Sequence, residues 1–203
     1  MSNRSLQVGI TGGIGAGKSL VCKVFEQLGI PVYDADANAK ALMSTDATLK
    51  SQIISEFGSD AYDTQQNLNR EYLAKAIFGN EALRQKLNGM VHPAVAEDYR
   101  HWCARHTKSP IVLREAALLI ETGTYKQLDK LIVVTAPEKL RIHRVLMRDT
   151  HRNADQIAKI IESQISEKQS KEVADFIVVN DEKSMILPQI LQIHQTLLTF
   201  VNQ

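Results

Sequence analysis

The residues best suited to chemistry lie near the amino terminus, in Gly12-Gly13-Ile14-Gly15-Ala16-Gly17-Lys18-Ser19. The run fits G-x-x-x-x-G-K-[ST], with Gly12 and Gly17 at the two fixed glycine positions. Glycines let such a loop wrap with its N–H groups pointing inward, and a helix opening near Gly17 adds the positive end of its dipole. Lys18 is placed to reach the β- and γ-phosphates of a nucleoside triphosphate, and the Ser19 hydroxyl to ligate Mg²⁺. A strand-to-helix turn that binds nothing would explain the glycines but not Lys-Ser directly after them. The expectation is a triphosphate site.

Four further groups could act with it. Asp34-Ala35-Asp36 closes an apolar run, and in an open α/β sheet ligands lie beyond the strand carboxyl ends. A carboxylate there can orient an acceptor hydroxyl and take its proton, or Asp36 can simply cap the next helix; the residues alone leave both roles open. Arg141, Arg144, Arg148 and Arg152 are offset by helical steps and, if one helix persists, share a face. That stripe suits a lid closing over polyphosphate, or plain solvated surface. Glu115 and Glu121 flank Leu118-Leu119 after a third apolar run, where an acid can hold a metal-bound water, bind a substrate arginine or start a helix. Arg70 and His92, the latter read as a helix-end residue before the breaking Pro93, are not singled out by spacing alone.

The elements that must position these groups alternate. Leu6–Ile10 reads as a buried strand, and Leu20, Val21, Val24, Phe25 and Leu28 recur at helical spacing, with Gly29 as a stop. Ile30–Tyr33, Ile111–Leu113, Leu131–Thr135 and Phe176–Asn180 read as further strands. Helices are expected from about Pro137 to Asp149, from about Ala154 to Ser170 and from Met185 to Val201. The pattern between Ala37 and Lys108 is helical apart from a polar loop at Asp63–Asn67, more than one crossover requires, so it reads as an inserted helical subdomain. Strands alternating with helices imply an α/β fold with a parallel sheet covered on both faces.

Composition excludes several classes. With 203 residues and 44% hydrophobic content the chain can bury a sizeable core. A net charge of +1 argues against general binding to nucleic acid. Cys22 and Cys103 form neither a C-x-x-C pair nor a zinc pattern, and Cys22 reads as a core residue. Met1–Ser5 has no apolar run of a signal peptide and no stretch reaches membrane-span length, so a cytoplasmic protein with no membrane partner is expected.

The loop alone fits a GTPase, a motor or a small-molecule kinase. The guanine-reading N-K-x-D pattern is absent and the length disfavours a multidomain motor, which leaves a kinase for a small acceptor or a slow ATP-dependent switch. Here the ordered set Val8–Ser19, Asp34-Ala35-Asp36, Asn69-Arg70, His92-Pro93, Leu118-Leu119 with Glu121, and Ala174-Asp175 before Asn180 resembles dephospho-coenzyme A kinases over nearly the whole chain. The resemblance implies a P-loop NTPase core of residues 1–36, 110–142 and 172–203, a helical CoA-binding subdomain of residues 37–109 and a lid of residues 143–171. It implies transfer of the γ-phosphate of ATP, with Mg²⁺, to the ribose 3′-hydroxyl of dephospho-CoA, by a monomer or weak homo-oligomer. Asp36 is then the base, with Lys18 and Arg148 also catalytic. Gly13, Ile14, Gly15, Ala16, Gly17, Lys18, Ser19, Leu20, Arg144 and Asn180 are the ATP residues, Asn180 near the adenine, with Ser19 the metal ligand. Thr11, Asp34, Arg70, His92, Leu118 and Glu121 are the acceptor residues. The chain departs from the family pattern at Asn69, where Asp is usual, at Glu115-Ala116-Ala117, and at Ile160, where an arginine is usual.

Overall fold

In a computed structural model, which describes residues 4–149 and 151–201, the apolar runs pair as parallel strands. Met1–Asn3, the start of the segment read for a leader, and Thr150, within the 143–171 segment, lie outside the described residues, as do residues 202–203. The strands are β1 (Leu6–Thr11), β2 (Val32–Asp34), β3 (Ile111–Glu115), β4 (Lys130–Thr135) and β5 (Phe176–Val179). Their order across the sheet is β2-β3-β1-β4-β5. Val8 faces Leu113 on one side and Lys130 on the other, so β1 is the central strand. The third strand runs two residues beyond the apolar Ile111–Leu113, because Arg114 and Glu115 keep the ladder with Gly9 and Ile10 of β1. Arg114 is thereby a buried cation inside a sheet.

Alternation along the strands sorts the side chains onto two faces. Val8, Ile10, Ile111, Leu113, Ile132, Val134 and Val178 join Val21, Cys22 and Phe25 of α1 (Lys18–Gln27) and Ile190, Ile193 and Leu197 of α9 (Ile186–Val201) in one core. Ten residues are too few for a stable isolated helix, so α1 is held by its buried stripe, each such side chain contributing roughly 1.5–3 kcal/mol. Leu20 is not part of that stripe and is 50% exposed. Gly29, at φ 82°, ends α1 in the left-handed conformation, its N–H bonding Glu26 O while that of Ile30 bonds Phe25 O.

Between β4 and β5 run α6 (Glu138–Arg148), α7 (Ala154–Ser163) and α8 (Glu167–Val173). The last of these packs on β4. One helix was expected from about Ala154 to Ser170; instead two capping boxes, Asn153 with Gln156 and Ser166 with Gln169, start separate helices. The S-x-x-Q spacing of Ser166–Gln169 satisfies two orphan N–H groups reciprocally, which favours a new start over continuation.

By contact the chain divides into Met1–Asp34 with Arg105–Gln203, and Ala35–Ala104. The second unit is helical: α2 (Ala35–Thr45), α3 (Ala47–Phe57), α4 (Arg70–Ile77) and most of α5 (Glu81–Arg105). Leu49, Ile53 and Phe57 of α3, Leu73 of α4, and Val91, Val95 and Tyr99 of α5 are its buried residues. Helix caps are explicit: Asp46 accepts from Leu49 N at 2.7 Å and Asn69 from Tyr72 N at 3.1 Å. Asn69 thus caps α4 as an aspartate would, since the two are comparable N-caps. Pro93 does not end its helix as the sequence suggested; α5 runs through it for 25 residues. A mid-helix proline costs about 3 kcal/mol. Val91, Val95 and Tyr99, spaced four apart and buried, outweigh that at roughly 1.5–3 kcal/mol each. Among the described residues no helix is long and apolar enough to cross a membrane.

Candidate active site

The glycine loop leaves β1 and delivers α1, with Gly17 as the helix N-cap at φ 98°. Its glycines answer to three different neighbours. A Cβ on Gly12, itself at φ +152°, would lie 2.2 Å from the Val134 carbonyl oxygen, so the loop is pressed against β4 backbone. A Cβ on Gly17 would lie 2.2 Å from the Asn180 amide nitrogen. Gly13 does not need a positive φ; a Cβ there would sit 2.5 Å from the Arg141 guanidinium. Gly12→Ala meets rigid backbone and left-handed strain together, each costing of order 1–3 kcal/mol. It is expected to lower Tm by roughly 5–10 °C, and a melt within about 2 °C of the parent would contradict this account of the loop.

Lys18 Nζ donates to Gly12 O at 2.9 Å, so the cation lies over its own loop. The Ser19 hydroxyl donates to Glu115 Oε1 at 3.5 Å. Glu115 is the last residue of β3, in register with Asp34 at the end of β2 and with Ile10 of β1. The carboxyl ends of three adjacent strands therefore bring Asp34, Glu115, Lys18 and Ser19 to one edge of the sheet, where a parallel α/β sheet presents its ligands. Cys22 lies just below; burial above all, then the neighbouring Glu115 carboxylate, pushes its thiol far up, so it is an uncharged core group.

A second layer covers the loop. Arg141 Nε donates to Ile14 O at 3.0 Å, and Gln164 Oε1 accepts from Ile14 N at 3.0 Å and from Arg141 Nη2 at 3.3 Å. Burial pulls the Arg141 guanidinium below its usual range, partly offset by Glu138 and Glu167. Asn180 Nδ2 donates to Ala16 O at 2.8 Å, and its Oδ1 and backbone O each accept from Arg144 at 3.2 Å. Arg144 also meets Glu182 at 3.2 Å. Thr11 and Glu121 line a cavity beside the loop together with Arg141 and Gln164. Glu121 Oε1 accepts from Ile165 N at 3.3 Å.

The other candidate residues are placed as follows. Arg148 is the exposed last residue of α6 and Leu118 is 47% exposed. Asp36, Arg70 and His92 are exposed residues of the second unit. Two expectations are corrected. Asp36 is not an N-cap, because α2 already begins at Ala35 and Asp36 is an acid of its first turn. Arg152 is not on the arginine face, because α6 stops at Arg148; it pairs with Asp149 at 3.2 Å instead. Spacing did not mark Gln164, and it marked Arg141 only as one of the arginine stripe, whereas both bond the loop itself at Ile14. The capping-box signature at Ser166 is the signal that places Gln164 at a joint rather than on a helix face.

Such a sheet, with its loop between β1 and α1 and Lys18 and Ser19 beside a strand-end acid, defines a P-loop kinase-like domain. The family model described as dephospho-CoA kinase matches residues 6–185. A dephospho-CoA kinase of Bacteroides fragilis is 34% identical over 189 residues, covering 93% of this chain and 91% of the relative. A solved structure from Thermus thermophilus superposes with a TM-score of 0.81 at 26% identity, covering 97% of both chains. One titled dephospho-CoA kinase, from Campylobacter jejuni, shares the fold with a TM-score of 0.63 at 22% identity, covering 95% and 97%. The chain belongs to the dephospho-CoA kinase family.

Proposed function

We propose that this chain transfers the γ-phosphate of ATP to the ribose 3′-hydroxyl of dephospho-CoA, the last step of coenzyme A synthesis. The observation that carries the reading is the clustering of Lys18, Ser19 and Glu115 at the carboxyl edge of the sheet in a chain of this family. Phosphoryl transfer asks the protein mainly for positioning and charge stabilisation. Loop N–H groups and the α1 dipole hold the β-phosphate, and Lys18 swings from Gly12 O to the oxygens of the transferring group. Arg148, at the exposed end of α6, adds charge from above, with Arg144 and Asn180 bordering the nucleotide. Thr11, Asp34, Arg70, His92, Leu118 and Glu121 receive the acceptor. The 3′-hydroxyl oxygen forms a bond to the γ-phosphorus, the bond from that phosphorus to the β,γ-bridging oxygen breaks, and ADP leaves. The hydroxyl proton passes to the Asp36 carboxylate.

Mg²⁺ fits this site by donor chemistry. The Ser19 hydroxyl and the Glu115 carboxylate are hard oxygen donors 3.5 Å apart, and Mg²⁺ is usually held by one or two such groups plus substrate phosphates. Among the described residues no group of three or more His, Cys, Asp or Glu could hold a metal ion. When bound, Mg²⁺ would neutralise phosphate charge. The reading assigns CoA binding to the helical region of residues 37–109 and gating to residues 143–171, in a cytoplasmic monomer or weak homo-oligomer acting on small molecules.

Transfer of labelled γ-phosphate to dephospho-CoA, adenosine and AMP tests the assignment. Label is expected in dephospho-CoA, at the 3′ position. Label in adenosine or AMP alone would mean a kinase for another acceptor. ATP hydrolysis that does not rise with any acceptor would mean a slow switch.

A further inference from the structure

The backbone of Ile14 is held at both its N–H and its C=O by residues far along the chain. Its N–H goes to Gln164 Oε1 and its C=O receives Arg141 Nε, both at 3.0 Å, and the two side chains are themselves linked at 3.3 Å. Gln164 reaches the loop because it is the C-cap of α7, in extended conformation (φ −84°, ψ 157°), just before Ser166 starts α8. The next residue is fastened too, Ile165 N donating to Glu121 Oε1 at 3.3 Å. Gly13 is small where Arg141 lies against it, although its own backbone does not demand glycine. The outer turn of the loop is thus shaped by the α6 start and the α7–α8 joint, not by loop residues alone.

We propose that Arg141 and Gln164 are positioning residues for the phosphate loop: together they clamp the backbone of Ile14 on both sides of its Cα, so that ATP meets a preformed cradle only while the α7–α8 joint is seated. The inference rests on the kinase reading above but concerns ATP rather than the acceptor. The physical warrant is preorganisation. A glycine-rich turn that must be ordered by the ligand costs affinity, and side-chain bonds to the two peptide groups flanking one residue remove that cost beforehand. Arginine suits the task because its Nε and Nη2 donate in a fixed planar fork, which lysine cannot reproduce.

The variants are Gln164→Leu, Arg141→Lys and the double substitution, in the full chain. Three quantities are read: amide exchange at Ile14 without substrate, calorimetric affinity for a non-hydrolysable ATP analogue, and steady-state kinetics in both substrates. Gln164→Leu is expected to speed Ile14 exchange and weaken ATP binding by about tenfold, the scale of one lost hydrogen bond to a charged network. KM for dephospho-CoA should stay within about twofold, a split that a general structural role would not give. Arg141→Lys should act in the same direction despite its retained charge. The double variant should be little worse than the stronger single one, because both act on the backbone of one residue and are bonded to each other. Gln164→Glu, which keeps an acceptor oxygen, should retain parental exchange at Ile14 and guards against a Leu variant that fails to fold. Parental exchange in Gln164→Leu, rescue by Arg141→Lys, accelerated exchange in Gln164→Glu, or a shift in acceptor KM in place of ATP affinity would overturn the clamp. Exchange and analogue binding are read without phosphoryl transfer. A chain that proved not to phosphorylate dephospho-CoA would therefore fail the transfer assay while leaving these two readouts in force.

Discussion

Lys18→Ala is expected to lower turnover by at least about a thousandfold while leaving the fold intact. The magnitude follows from removing a preorganised charge at the transferring group, where single donors are already worth 10²–10³ in rate. The fold should survive because the ammonium is spent on Gly12 O rather than on the core, and one such bond contributes only about 1 kcal/mol. Circular dichroism and steady-state kinetics decide it. A collapsed variant would move Lys18 to a structural role, and near-parental turnover would remove it from the chemistry.

Asp36→Asn separates catalysis from local structure. Because α2 begins at Ala35, Asp36 interacts with the helix as a first-turn acid rather than as a cap. Losing its charge costs no more than about 0.3–1 kcal/mol of dipole interaction. If Asp36 takes the 3′-hydroxyl proton, asparagine keeps the shape but removes the basic oxygen. The rate constant kcat should then fall by about 10²–10⁴, with ATP affinity and Tm nearly unchanged. A variant with near-normal kcat on dephospho-CoA would return Asp36 to structure. Attention would then move to Asp34, in register with Glu115 at the sheet edge.

The parts of the molecule legible in the sequence are those fixed by local chemistry. The phosphate loop, the apolar runs of β1 and β4 and the stop at Gly29 depend on residue types within a few positions of one another, and each stands within a residue of where its pattern put it, whereas the second strand, expected at Ile30–Tyr33, is Val32–Asp34. What could not be read depends on partners far away. Nothing near Gly13 reveals that its missing side chain makes room for Arg141. Nothing near Arg114 says that a cation continues β3, since the ladder with Gly9 decides that. Pro93 reads as a breaker because sequence rules weigh it alone, while the buried stripe on both sides overrides it. Arg152 looked like part of a stripe because helical offsets were carried past the end of α6. The α7–α8 joint is the intermediate case, its capping-box spacing visible once helix starts are weighed against helix length.

The central place of β1 also bears on how the chain is made. Val8 is synthesised well before its neighbours in the sheet, Leu113 and Lys130. The phosphate loop that follows β1 leans on Val134, Arg141, Gln164 and Asn180, later still. The residues of the second unit come out in between. The nascent chain therefore carries an apolar strand that stays unpaired through the synthesis of an entire helical unit, a slow, long-range closure of the kind that delays folding. Translation runs ahead of assembly here: the phosphate loop is written before every one of these partners that give it its working shape.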